Sequence, residues 1–89
     1  MIKSTITISN KLGLHARASA KLTKLAGSFQ SDVFMARGDR RINAKSIMGV
    51  MMLAAGLGAE VELETAGADE QVAMDALRKL IDDRFGEAE

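Results

Sequence analysis

Along the first eight residues, Ile2, Ile6 and Ile8 fall on one side of a period-two pattern, with Lys3, Thr5 and Thr7 opposite. This predicts a half-buried strand. Asn10-Lys11-Leu12-Gly13 reads as a turn. From Ala16 to Leu25 the period changes. Ala18, Ser19, Leu22, Leu25 and Ala26 recur at spacings of three and four, with Lys21 and Lys24 outside, so a helix is expected there with Gly27 as its stop. Residues 32–37 read as a second strand, Arg37-Gly38-Asp39 as a hairpin turn, and residues 40–43 as a short third strand. Ser46 can cap a short helix that runs to about Leu53 and is ended by Gly56-Leu57-Gly58. Residues 60–65 alternate most clearly, with Glu60, Glu62 and Glu64 on a face expected to be solvated. Asp69 is then expected to cap a last helix with a buried stripe of Ala73, Ala76, Leu77, Leu80 and Ile81. Asp75 and Lys79 would form an i,i+4 pair on it, and Gly86 would end it.

The order is β-α-β-β-α-β-α. One wet sheet face and three one-sided helices imply an α+β fold of two layers, with all helices on the other face of a four-stranded antiparallel sheet. Eighty-nine residues, 47% of them hydrophobic, suit one domain spanning 1–89. Its core is expected to be aliphatic, because Phe29, Phe34 and Phe85 are the sole aromatics. The longest apolar stretch, residues 47–57, is too short and glycine-interrupted for a membrane span. Met1-Ile2-Lys3-Ser4 lacks the apolar core of a secretory signal, so a cytoplasmic location is expected.

Cysteine is absent, which excludes disulfides and thiolate metal sites, and a single histidine leaves no metal site to expect. Net charge is zero, yet residues 1–45 carry nine Lys/Arg against two acids, and residues 46–89 three against ten. The basic half favours an anionic ligand or acidic partner. Nucleic acid is disfavoured, with no Tyr or Trp to stack bases.

The lone histidine, His15, stands in Gly13-Leu14-His15-Ala16-Arg17, where a strand gives way to a helix. A helix start offers unpaired N–H groups and the positive end of the macrodipole. A neutral imidazole there is a nucleophile for phosphorus, the N–H groups of the helix start can bind phosphoryl oxygens, and Arg17 adds a forked cation. The helix end contributes about 0.3–1 kcal/mol to an exposed anion. A solvated arginine at ~4 Å contributes nearer 1 than 4 kcal/mol. Such weak holding suits a carrier. A phosphatase would need a water-activating base or a metal, and the residues near His15 supply neither.

Gly13-Leu14-His15-Ala16-Arg17-Ala18-Ser19-Ala20 resembles the active-site segment of the HPr family, the histidine phosphocarriers of the bacterial phosphoenolpyruvate:sugar phosphotransferase system. Lys45-Ser46-Ile47-Met48-Gly49-Val50-Met51 resembles its regulatory-serine motif, and Gly67-Ala68-Asp69-Glu70 the start of its last helix. The likeness covers essentially the whole chain. It implies an open-faced β-sandwich. It also implies that His15 accepts a phosphoryl group on Nδ1 from Enzyme I and donates it to IIA proteins, with no cofactor. Arg17 and the backbone of Ala16 and Arg17 would bind the group. Ala20, Lys24, Ile47, Met48 and Met51 would form the docking patch, and Ser46 would be open to HPr kinase/phosphorylase. Methionine suits a surface that meets several partners.

Two positions depart from the family. Ala18 stands where proline is usual, which should soften the start of the helix. Ser19 stands where alanine is usual, and its hydroxyl is expected to bond back to a carbonyl within the helix. A monomer is the simplest state for a carrier that shows one face to successive partners. Open alternatives are a nitrogen-related or purely regulatory branch, a binding protein acting through Ser46, and an unrelated small α/β binding domain.

Overall fold

The computed structural model describes residues 1–88. Four strands, β1 (Ile2–Thr7), β2 (Asp32–Arg37), β3 (Arg40–Asn43) and β4 (Glu60–Ala66), form one antiparallel sheet in the order β1-β4-β2-β3. Helices α1 (Ala16–Gly27), α2 (Ile47–Met52) and α3 (Glu70–Asp82) cover one face, so the expected order and two-layer architecture are both found. The register explains the burial. Ile6 lies opposite Val61 and Met35 opposite Leu63, and all four point into the helix layer. There they meet Leu22, Val50, Leu77 and Ile81. Each such side chain removed from water contributes about 1.5–3 kcal/mol.

The outer face is less simply wet than alternation suggests. Glu60 and Glu62 are exposed, but Glu64 is buried. Arg41 lies over the Phe34 ring, 3.9 Å from its centroid, and its Nη2 sits 2.9 Å from Glu64 Oε2; Lys3 approaches the other oxygen at 3.9 Å. Phe34 and Lys3 are the cross-strand neighbours of Glu64, so the register itself assembles this cluster.

The helix ends differ from expectation in three places. The residue that leaves α2 with a left-handed backbone is Ala54 (φ 51°); Gly56 has no positive φ. The strain at alanine is held by the β2–β3 hairpin, whose Arg37 Nη1 donates to the carbonyls of Leu53 and Ala54 and whose Arg40 donates to that of Met52. Helix α3 stops at Asp82, not Gly86, and a tight turn over Arg84–Gly86 follows with Arg84 and Phe85 both at φ 56°. Burial of the Phe85 ring holds that strained backbone in place. Along α3 the buried residues are Ala73, Met74, Leu77 and Ile81. Ala76 and Leu80 are only half-buried, because the sheet meets the helix one position round from the predicted stripe. Asp75 accepts a hydrogen bond from Gln71 Nε2 (2.9 Å) in place of pairing with Lys79.

Asp69 occupies the N-cap of α3 but does not cap it. Its carboxylate reaches across to the segment before β2, accepting from Ser31 Oγ (2.5 Å), Ser31 N–H (2.9 Å) and Gln30 N–H (3.0 Å). The Ser31 hydroxyl, followed by the Gln30 and Ser31 amides, holds its pKa below the ordinary 3.8. A depressed folded value means that this stabilisation is complete above the unfolded pKa and is lost as pH falls through the folded one. Asp69→Asn should therefore be less stable than the parent at neutral pH and show a shallower acid limb in urea titrations. Equal acid slopes for the two proteins would remove Asp69 as an acid-sensitive lock.

Phe85 also makes the turn after α3 part of the core. Phe85→Ala should cost about 3–5 kcal/mol in denaturant unfolding.

Candidate functional site

The loop between β1 and α1 is pressed against the segment preceding β4. Gly13 has φ +65°, and a Cβ there would lie 2.5 Å from the Ala55 carbonyl oxygen and 2.6 Å from Gly56 Cα. Only glycine allows that approach. Buried Leu14 then donates its N–H to Ala55 O (2.9 Å) and accepts from Ser19 Oγ at its own carbonyl (3.0 Å). The Ser19 hydroxyl is core-facing as expected. It bonds to a carbonyl just ahead of the helix and not within it, because Leu14 precedes the first helical residue. The residue before His15 is thus fixed through both of its backbone polar groups.

His15 is the N-cap of α1, with extended backbone (φ −74°, ψ 179°), and its carbonyl accepts the Ser19 N–H at 2.8 Å. Its side chain caps nothing. The N–H groups that open α1, at Ala16 and Arg17, have no acceptor within the helix. Both residues are exposed. The ring is 26% exposed, and its Nε2 lies 2.6 Å from Glu87 Oε2. The other Glu87 oxygen accepts from Asn10 Nδ2 (3.0 Å), which also donates to Gly13 O (2.8 Å). The Asn10 amide holds the Glu87 carboxyl below its ordinary 4.5 against a partial-burial effect, and the His15 and Lys21 contributions act in the same direction. Lys21 Nζ donates to Phe85 O at 2.7 Å, tying the tail to α1.

The expected residues therefore come together in one shallow depression. His15, Ala16 and Arg17 line it with Lys21 and Glu87. Lys21 and Glu87, which line it, and Asn10, which holds Glu87, were missed. Asn10 reads in sequence as an ordinary turn residue and Glu87 as tail, and nothing local links Glu87 to either Asn10 or His15 across more than 70 residues. The expected docking residues are all exposed: Ala20 and Lys24 on α1, and Ile47, Met48 (68%) and Met51 on α2. Met52, Leu12 and Leu57 are exposed apolar residues that the pattern did not single out, while Val50 and Leu53 lie in the core. Ser46 is exposed and caps α2, its Oγ accepting from Gly49 N–H at 3.2 Å.

A family model described as "PTS HPr component phosphorylation site" matches residues 2–83. The chain belongs to the HPr family. The phosphocarrier protein HPr of Cupriavidus necator is 67% identical over 89 residues, covering 100% of both chains. The crystal structure of HPr-C-His from Thermoanaerobacter tengcongensis superposes with a TM-score of 0.96 at 43% identity, again over 100% of both chains. An HPr dimer from the same organism gives 0.79 at 44% identity, covering 98% of this chain and 100% of that one. The chain is thus an HPr-family phosphocarrier of the phosphotransferase system with the family's α+β fold. Among the described residues, no helix is long and apolar enough to cross a membrane.

Gly13→Ala tests whether backbone packing sets the His15 loop. It should destabilise the protein by at least ~1–2 kcal/mol in thermal melts, from the left-handed backbone alone. Backbone amide resonances from Leu14 to Arg17 should move with it.

Proposed function

We propose that His15 accepts a phosphoryl group on Nδ1 from phospho-Enzyme I, ultimately from phosphoenolpyruvate, and passes it to IIA proteins of the sugar phosphotransferase system. The observation that carries this reading is the opening turn of α1, left without a side-chain cap beside a part-exposed imidazole, with Arg17 exposed on the same turn. Nδ1 attacks phosphorus, the Ala16 and Arg17 amides take the oxygens, and Arg17 offsets the charge. Each contribution is small, which favours passing the group on. Ala20, Lys24, Ile47, Met48 and Met51 form the partner face. The carrier acts in the cytoplasm as a one-domain monomer. That state is checked by light scattering, since a relative has been solved as a dimer.

Ser46 supports a regulatory layer. Its hydroxyl is exposed and already at a helix start. A phosphate there adds a charge of about −2, which the helix tolerates. Beside a face suited to acidic partners, that charge would weaken Enzyme I binding. The agent would be an HPr kinase/phosphorylase.

Incubation with Enzyme I, magnesium and labelled phosphoenolpyruvate should give acid-labile, alkali-stable label, and His15→Ala should give none. Label retained in that variant overturns the assignment. Arg17→Ala should slow transfer about five- to tenfold, the kinetic equivalent of roughly 1 kcal/mol. Ser46→Ala should keep the phosphoenolpyruvate-dependent label and lose only that placed by kinase and ATP.

A further inference from the structure

We propose that Glu87 is a positioning residue for His15, holding the ring proton on Nε2 so that the lone pair for attack is left on Nδ1. The inference rests on the carrier reading of His15 given above. It concerns a residue that the family model, matching residues 2–83, does not reach.

An ionised carboxylate only accepts hydrogen bonds, so a 2.6 Å contact between Nε2 and Glu87 Oε2 needs the proton on Nε2. In a neutral imidazole the other nitrogen is then the nucleophile. Glu87 is itself held in place. Asn10 donates to its Oε1, the buried Phe85 ring anchors the tail two residues earlier, and Lys21 clasps the Phe85 carbonyl. The other charged groups that line the depression, Lys11 in the preceding loop with Arg17 and Lys21 on α1, are cations. Glu87 is the only acid among its described lining residues.

The transfer then balances without a free base. The Nδ1 lone pair forms the N–P bond while the bond from phosphorus to the donor breaks, its electron pair leaving with the donor. The ring becomes a phosphohistidinium that keeps its proton on Nε2, and the Glu87 carboxylate compensates the new positive charge. On donation the N–P electrons return to Nδ1, and the ring leaves as the same neutral, Nε2-protonated imidazole. A carboxylate on Nε2 thus serves both directions by keeping the ring a good leaving group.

The test compares the parent with Glu87→Gln, Glu87→Ala and Glu87→Asp, in three measurements. In the unphosphorylated protein, 15N-edited NMR should show a slowly exchanging, downfield Nε2 proton in the parent and none in Glu87→Ala. In the phosphorylated protein, spontaneous loss of the phosphoryl group at neutral pH should be several-fold slower in Glu87→Gln and Glu87→Ala, because the ring gives up its Nε2 proton more readily. Transfer to a IIA protein should slow by a similar factor, and Glu87→Asp should recover part of each effect. Rates in Glu87→Gln and Glu87→Ala equal to or faster than those of the parent overturn the proposal, as does an Nε2 proton signal unchanged in Glu87→Ala. A parent that takes no label from phospho-Enzyme I refutes the carrier reading instead. The Nε2 signal still decides the contact in that case.

Discussion

A helix that begins at the surface without a side-chain cap is the constraint around which this molecule is arranged. Helix α2 begins on Ser46, whose hydroxyl takes the Gly49 amide. Helix α1 begins on His15, whose ring turns away to Glu87 and leaves the first amides bare. Forgoing a cap costs about 1 kcal/mol. The offset comes from packing. Ala18, Ser19, Leu22 and Ala26 are buried along α1, and Leu14 is bonded at both its N–H and its carbonyl. Because the body of α1 is secured by the core, its end can be kept for an anion.

The charge distribution follows the same logic. The chain is basic in its first half and acidic in its second, and the sheet turns part of that sequence asymmetry into a spatial one. Alternation in β4 places Glu60, Glu62 and Glu64 on the face away from the helices. Arg41 and Lys3 engage Glu64 there. The cations of α1 are left on the opposite layer with Glu87 as their nearby counter-charge. A phosphoryl dianion arriving there, as proposed, would meet a cationic rim with few acids behind it, and such a field acts mainly on encounter.

What was legible in the sequence was what local periodicity encodes. The strands, the helix layer and Ser46 as a cap follow from spacing or from a single residue's chemistry, whereas the exposed methionines of α2 were expected only from the family resemblance. The misreadings share a cause, since each depends on contacts between segments distant in the chain. Asp69 looks like a cap, yet Ser31 and Gln30 offer three donors in a better geometry. Ala54 turns left-handed because Arg37 and Arg40 from the hairpin hold the carbonyls around it. Met74 displaces Ala76 from the α3 stripe because the sheet, not the helix, decides which side is inward. The tail was the largest omission. His15 and Arg17 were visible from five residues of sequence, whereas Glu87 reaches His15 only through the Phe85 turn.

Helix α2 shows why an apolar outer surface is compatible with a well-determined fold. Six residues are far too few for a helix to be stable alone. Its inner side is held by Val50 with Leu53 just beyond, its start by Ser46, and its final carbonyls by two arginines of the hairpin. These anchors hold α2 from within, so the outward positions Ile47, Met48, Met51 and Met52 can stay exposed. Unbranched methionine can repack against differently shaped surfaces at little cost, whereas a rigid aromatic patch would favour one. In the proposed docking role, a face of this kind would yield a modest apolar area to each partner in turn. That would match the weak grip proposed at the start of α1, because a carrier bound too firmly at either place would stop after one transfer.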